Sequence, residues 1–472
     1  MTRTSLRATI LMAIPTMGLT VAAVHADART LQEALAITYA SNPALQAQRA
    51  LQRATDENVP AALAGWRPTV SVTANAGYAD GATISHSNGK DTVNGGIANA
   101  GNRGTNSETL TVSQPLYRGG ATRAGTNKAE NQVMSQRATL LAAEQTAFQN
   151  AVNAYVQVIQ AQRTLELNTN NEQVLSRQLQ ATQDRFRVGE ITRTDVAQAE
   201  AALAGAKAQR QTAQGNLETA RSAYRQVVGE LPDKLVEPQP LKLPQATMDL
   251  AREMAEKNNP TVVASLFADA AAKDNVDVQY ARLMPTLSLQ GSYGRTVDVT
   301  SKNVTVRTNQ ALLVANVPIF QGGVEYAAIR QAVQQQQQTR KALEDARRTA
   351  VQQLTTAWQT YLATKETIAS TREAIRSNEI ALEGVQREAI VGSRTTLDVL
   401  NAEQTLLVSR TTLVNNLASL VTASYQVAGA VGRLTARDLN LNVPLYDETA
   451  YYKAVKNRWT GTGDYATDQP GR

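Results

Sequence analysis

Val188-Gly189-Glu190-Ile191-Thr192-Arg193-Thr194-Asp195-Val196 returns 203 positions later as Val391-Gly392-Ser393-Arg394-Thr395-Thr396-Leu397-Asp398-Val399. Each copy reads as a helix end followed at once by a helix start. Glycine takes the left-handed conformation that closes a helix, and Thr-x-x-Asp is a capping-box spacing with Asp in place of the usual Glu. The segments leading into the two copies, about Gly120 to Arg187 and about Gly323 to Ile390, contain no proline. Each is long enough for a helix of ~100 Å at ~1.5 Å per residue. The return segments, about Thr192 to Val228 and Thr395 to Val431, are half as long.

Outward from these turns the repetition continues. Pro115-Leu116-Tyr117-Arg118-Gly119-Gly120 returns as Pro318-Ile319-Phe320-Gln321-Gly322-Gly323, again 203 positions on. Asn42-Pro43 returns as Asn259-Pro260, and Pro68-Thr69-Val70-Ser71-Val72 as Pro285-Thr286-Leu287-Ser288-Leu289, now 217 positions on. The chain is a tandem duplication whose halves differ by 14 residues between the two Pro-marked segments. A first repeat spans 29–231, a proline-rich linker 232–246, a second repeat 247–437 and a tail 438–472.

Each half reads helix, strand, loop, strand, very long helix, turn, helix. The opening helices run about Leu31 to Ala64 and Thr247 to Arg282. From Trp66 to Tyr78 the period changes to two, with Val70, Val72, Ala74, Ala76 and Tyr78 opposing Thr69, Ser71, Thr73 and Asn75. Asp80 to Ser107 is rich in Gly and Asn and reads as a loop. Alternation resumes at Thr109–Ser113, at Thr286–Tyr293 and, less cleanly, over Val304–Val317. In the first long helix Phe148, Val152, Tyr155 and Ile159 have coiled-coil spacing, and Val351, Trp358 and Leu362 hold the equivalent places in the second. Two half-length helices stacked end to end match one long helix. The lengths therefore predict four helical columns per chain, with a belt at mid-height that holds the linker and the tail.

Composition removes whole classes of function. With no cysteine and only His25 and His86, thiolate metal sites, cysteine nucleophiles and histidine triads are excluded. No nucleophile elbow, phosphate loop or metal-ligand spacing occurs, so no enzyme, cofactor or metal is expected. The net charge of +6 is spread among acids, unlike the clustered footprint of a nucleic-acid binder. Arg3 and Arg7 precede an apolar run and small residues at Ala26 and Ala28, which reads as a cleaved signal peptide over 1–28. No later stretch of 18 apolar residues follows, so any membrane crossing must use strands.

The alternation fits a wet-lumened membrane barrel or a soluble sandwich equally. The flanks favour the barrel: Trp66, Tyr117 and Phe320 lie at the helix-side strand ends, Tyr78 and Tyr293 at the loop-side ends, as two interface girdles would. Four strands cannot close a barrel, which needs about eight. Either the strands are outside a membrane or several chains share one barrel.

The pattern resembles the TolC family of outer-membrane channel proteins over nearly all of the chain after the signal. The resemblance is carried by Ser41-Asn42-Pro43, Arg67-Pro68, Gln114-Pro115-Leu116-Tyr117, Pro318 to Gly323 and the two Val-Gly turns in register. It implies a mainly α fold with a β part. Long antiparallel coiled-coil helices would form an α-barrel in the periplasm, and four strands per chain would build a twelve-stranded transmembrane β-barrel shared by a homotrimer. It implies a passive exit duct in the outer membrane of a Gram-negative bacterium, exporting small toxic compounds or secreted proteins. The partners it implies are outer-membrane lipid, a periplasmic adaptor and an inner-membrane transporter of RND, ABC or MFS type. No lipid-acceptor cysteine follows the signal, which points to the branch shared with type I secretion. Val188, Gly189, Val391 and Gly392 would form the periplasmic tip that docks the adaptor. Thr194, Asp195, Arg394, Asp398 and Asn401 fall on gate positions of the family: Arg394 would bridge to Thr194 or Asp195, and Asp398 would form a ring of carboxylates. Two positions depart from the prototype, Asn401 for a second aspartate ring and Ala389 for a tip tyrosine. Plain helix capping by Asp195 and Asp398, and a non-conducting periplasmic coiled-coil spacer, are the alternative readings.

Overall fold

Proline lacks a backbone N–H and pushes the residue before it out of the helical region, so Asn-Pro interrupts both opening helices. The computed structural model describes residues 29–81, 84–87, 90–93, 101–243, 247–299 and 302–463. The signal segment 1–28 lies outside the described residues. The first opening helix is three pieces, α1 (Leu31–Ser41), α2 (Pro43–Asp56) and α3 (Asn58–Leu63), and not one as its pattern predicts. After β1 (Thr69–Ala79) a small hairpin, β2 (Ile84–Ser87) and β3 (Lys90–Val93), occupies the predicted loop. β4 (Arg103–Arg118) starts earlier than alternation alone placed it. The long helix α4 (Ala121–Arg187) and its return α5 (Arg193–Val228) complete the repeat. The second repeat is α6 (Met248–Asn258), α7 (Pro260–Tyr280), β5 (Thr286–Val297), β6 (Thr305–Asn316), α8 (Val324–Ile390) and α9 (Thr396–Ala430). A short α10 (Ala450–Val455) lies in the tail. Both long helices have 67 residues.

Asn42 and Asn259 are the joints between stacked half-helices. Their extended backbones start α2 and α7 with Pro at the first turn. The Asn42 Oδ1 accepts from Ala44 N and Leu45 N, capping α2, while its Nδ2 donates to Val227 O at 3.0 Å, near the end of α5. Asn259 repeats the arrangement, accepting from Thr261 N and donating to Ala430 O at 3.1 Å, the last residue of α9. One amide thus serves orphaned groups of two helix ends at once.

The main core lies beside these joints. Phe148, Val152 and Tyr155 of α4 are fully buried against Leu31, Leu35 and Tyr39 of α1, Tyr224 and Val228 of α5, Tyr425 of α9, Leu434 just beyond α9 and Tyr446 of the tail. The buried aromatics are concentrated where half-helices meet and coiled-coil packing cannot continue. Arg29 and Leu235 form a parallel bridge, and the Tyr155 hydroxyl lies 2.8 Å from Arg29 O and 2.6 Å from Val236 O, fastening the linker. A second cluster holds Leu354, Trp358, Val427 and Val431 over Ala251 and Ala255. Leu354 fills it, whereas Leu362 is exposed, so the predicted seam is displaced there.

The tail departs from its predicted course. It lies at the belt through Tyr446 and then runs along α2 and α4 toward the strands. Tyr451 Oη donates to Glu57, Lys456 bridges to Glu130, and Arg67 stacks on Trp459 while donating to Arg458 O. Under this strap Asp56 is fully buried. Gln52 donates to its Oδ1 at 2.8 Å and its Oδ2 has no partner. Burial pushes its carboxyl up to about 6, against the opposing pull of the Gln52 bond and the nearby Arg137 and Arg53 cations.

The strands form one antiparallel sheet in the order β1-β4-β5-β6. Val70, Val72, Leu110 and Val112 share one face with Leu289 and Leu313. Ser71, Thr73, Thr109, Thr111 and Ser292 share the other. At the loop end the Arg103 guanidinium donates to Gly81 O, Gly101 O, Asp298 O and Val299 O, binding both loop bases together. Tyr78 pairs with Gly104 at the loop end of β1, but Tyr293 pairs with Leu110 and Asn309 well inside the sheet. β5 runs four residues past Tyr293 through Gly294 and Arg295, so that tyrosine lies short of the strand's end, in the last row of the apolar face before the charged row Glu108–Arg295–Arg307. Trp66 and Tyr117 are exposed at the helix-side end, with Gln114 Nε2 donating to Trp66 O, and exposed Phe320 follows β6.

Replacing Asn42 by Ala removes a cap and a joint bond together. We expect a loss of about 1–2 kcal/mol in thermal unfolding, with Asn42→Asp keeping the cap and losing about half as much. Asp56 binds its proton more tightly when folded, so its stabilisation is full below about pH 4 and is lost as pH rises through about 6. Asp56→Asn should flatten this pH dependence in unfolding scans and raise stability at about pH 8 by about 2 kcal/mol.

Candidate functional site

The two turns are built alike. Val188 and Val391 end the long helices, and Gly189 and Gly392 follow with φ of 80° and 81°. Glu190 N donates to Arg185 O and Gly189 N to Phe186 O; Ser393 N donates to Glu388 O and Gly392 N to Ala389 O. These are paired Schellman bonds that satisfy the last carbonyls of each long helix. Two residues later Thr192 and Thr395 cap the return helices. Asp195 Oδ2 accepts from Thr192 N at 2.9 Å, and Asp398 Oδ2 from Thr395 N at 2.9 Å, with the threonine hydroxyls donating to the same oxygens. Helix ends are thereby sealed without outside help, and large apolar side chains stand exposed among the charged ones: Val188 is 79 % exposed, Val391 78 % and Ile390 77 %.

Capping by both aspartates is therefore a fact of the structure. It consumes Oδ2 of each and keeps the groups ionised. The Thr192 hydroxyl and backbone hold the Asp195 carboxyl below its ordinary range, and the Thr395 backbone and hydroxyl do the same for Asp398. The second oxygen of each remains to face solvent, so a cap and a carboxylate lining are compatible.

Arg394 is committed differently from the bridge that the sequence suggested. Its Nε donates to Glu388 Oε2 at 2.9 Å within its own turn, and the chain brings it to neither Thr194 nor Asp195. The position of Glu388, three residues before the cap, puts its carboxylate within reach of the turn, while Asp398 is taken up by Thr395. The first turn holds the mirror-image pair, Arg185 on the helix and Glu190 in the turn, at 2.5 Å. Thr194 and Asn401 are exposed on their helices. Asn401 lines a cavity of about 370 Å3 between the two hairpins with Asn171, Gln198, Gln404 and Glu403. Glu403 was not singled out from sequence. Burial raises its carboxyl, and Gln386 Nε2 donates to it at 3.2 Å. It lies two residues beyond Asn401, where a shifted carboxylate would be the signal to look for.

Long paired helices, sealed tips and a four-stranded sheet with two open edges together define the class. The Outer membrane efflux protein family matches residues 31–230 and 251–433, and the chain belongs to that family. It is 35 % identical over 434 residues to the outer membrane efflux protein BepC of Brucella suis, covering 92 % of this chain and 91 % of BepC. It is 28 % identical over 415 residues to the outer membrane protein TolC of Escherichia coli, covering 84 % and 81 %. Among solved structures, the outer membrane protein VceC of Vibrio cholerae shares the fold with a TM-score of 0.73 and 20 % identity, over 85 % of this chain and 96 % of that one. The protein is thus an outer-membrane channel with its helical tunnel in the periplasm.

Gly189 and Gly392 hold left-handed backbones in open space, with no atom within 4 Å of an added Cβ. Gly432 is also left-handed at 82°, but a Cβ there would lie 2.4 Å from Asn258 O. Gly189→Ala and Gly392→Ala should cost only the backbone term, about 1 kcal/mol each, seen as faster hydrogen exchange confined to the tip. Gly432→Ala should cost more and lower the unfolding temperature of the whole belt.

Proposed function

We propose that three copies of the chain form a passive exit duct, whose periplasmic tip docks an adaptor and carries the gate. The observation that carries this reading is the open sheet set on 67-residue helical hairpins. Four strands leave β1 and β6 with unpaired edges, and neighbouring copies supply the missing partners. The repeats 29–231 and 247–437 then contribute one helical hairpin each, joined through the linker 232–246. A duct of this kind has no energy source, so an inner-membrane transporter drives export through it. An RND, ABC or MFS transporter would serve, and the family description favours efflux as the task. The exposed Val188, Gly189, Ile390, Val391 and Gly392 are the docking surface for the adaptor's helices. No enzymatic step is involved.

At the gate, Asp398 supplies one carboxylate per copy on the oxygen that Thr395 leaves free. Asn401 provides a neutral amide where the prototype has a second acid, and Glu403 restores charge behind it. Arg394, tied to Glu388, would need to exchange that partner to reach Thr194 or Asp195 of an adjoining coil. The latch is therefore weaker than a preformed one, and the ion pair it competes with is exposed and screened by solvent.

Single-channel recording in planar bilayers tests this reading. Wild type should give long-lived, cation-preferring steps, and Asp398→Asn should lower that preference while leaving the trimer intact. Glu388→Gln should free Arg394 and lower conductance if the latch reading holds, and Arg394→Ala should raise it. Val188→Asp with Val391→Asp should abolish export in cells without changing conductance. Silence from wild type and all variants would return the weight to a non-conducting spacer.

A further inference from the structure

The apolar face of the sheet is arranged in rows across β4, β5 and β6. From the helix side these read Gln114–Leu289–Leu313, Val112–Gly291–Ala311, Leu110–Tyr293–Asn309 and then Glu108–Arg295–Arg307. A single further row, Asn106–Val297–Thr305, precedes the turn between β5 and β6. The charged row therefore lies about 7 Å of strand from the outer turn, just beyond the apolar band. The opposite face at this height is Thr109–Gly294–Thr308 and Ser107–Thr296–Val306, nearly all small and uncharged.

Arg295 and Arg307 are direct cross-strand partners. Like charges so placed repel and destabilise a ladder unless something lies between them. Both side chains are exposed, and among the described residues neither makes an ion pair within the chain. Glu108 lies opposite Arg295 on the other side and is exposed as well, so the row carries two cations and one anion. An uncompensated arginine on the lipid face is costly in hydrocarbon and tolerable where headgroups begin. Two guanidinium forks whose Cβ atoms are ~5 Å apart can share one tetrahedral anion, each bonding to two of its oxygens.

The geometry points to a lipid site: Arg295 and Arg307 clasp the phosphate of an outer-leaflet lipid headgroup, one per protomer, with the acyl chains lying along Tyr293, Leu289 and Leu313. The inference rests on the outer-membrane placement and is independent of the docking and gating reading of the tip. The phosphate removes the repulsion between the two strands, so binding also stiffens the β5–β6 hairpin at the outer mouth. Glu108 competes with the phosphate for Arg295 and weakens the site.

Native mass spectrometry of the trimer in phosphate-free maltoside detergent is the test, with bisphosphorylated lipid A as the probe. Wild type should bind up to one lipid A per protomer, more weakly as salt rises. R295Q/R307Q should lose at least about tenfold in affinity, R295K/R307K should recover part of it, and E108Q should bind more tightly. Equal binding of dephosphorylated lipid A, or unchanged affinity in R295Q/R307Q, would overturn the site. Inorganic phosphate alone matching lipid A in the thermal shift of the trimer would overturn the lipid as its source. Should R295Q/R307Q fail to assemble, E108Q decides: unchanged affinity there rejects the proposal.

Discussion

Hydrogen bonding at the two free edges of a four-stranded sheet is the constraint on which the rest of the molecule depends. β1 and β6 each present a row of peptide groups that pairs with no other strand among the described residues. In hydrocarbon each orphan costs several kcal/mol, so the sheet is viable only when its edges meet those of other copies. Closure by rotation about one axis then dictates where the helices stand. Every strand leads into or out of a helix at the same end, so the ring of strands becomes a ring of helices continuous with it. The lumen is a consequence of edge pairing and needs no separate explanation.

A helical wall of that height has its own difficulty, since only two of the columns are unbroken helices. The remaining columns are assembled from half-helices, and each junction exposes four amides and four carbonyls. Asn42 and Asn259 answer this with a side chain that accepts on one side and donates on the other. The aromatic core around Tyr155 and Tyr224 then braces the junction against lateral bending. An amino-acid composition poor in aromatics is thus consistent with a rigid rod, because rigidity is spent at one level.

Much of this was legible in the sequence. The duplicated turns, the two 67-residue helices and the alternation of β1 and β5 follow from local rules of capping, proline exclusion and period, which need no knowledge of neighbours. The breaks at Asn42 and Asn259 were visible as a motif, yet their meaning lay in a contact with residues 171 to 185 positions away. The end of β5 was read too early, at Tyr293, because Gly294 and Arg295 look like the end of a strand, whereas pairing with β4 and β6 carries β5 to Val297. The pairing of Arg394 with Glu388 was missed for an opposite reason. It is entirely local, but the family resemblance directed attention across the tip. The tail's climb along α2 and α4, and the burial of Asp56 beneath it, rest on tertiary packing with no periodic signature. Glu403 was passed over because its shift comes from burial in the packed tip, which a lone Glu in a polar stretch of helix does not signal.

The two tip ion pairs have one further consequence. Arg185 and Glu388 occupy equivalent places with opposite sign, and their partners Glu190 and Arg394 sit in the following turns one position out of register. Seen end-on, a threefold assembly of duplicated chains has six turns of nearly the same shape. A partner that senses shape alone meets a sixfold ring, while one that senses charge meets a threefold ring of alternating polarity. The duplication therefore gives a docking ring two symmetries in one surface, and the binding partner's chemistry selects which of them it sees.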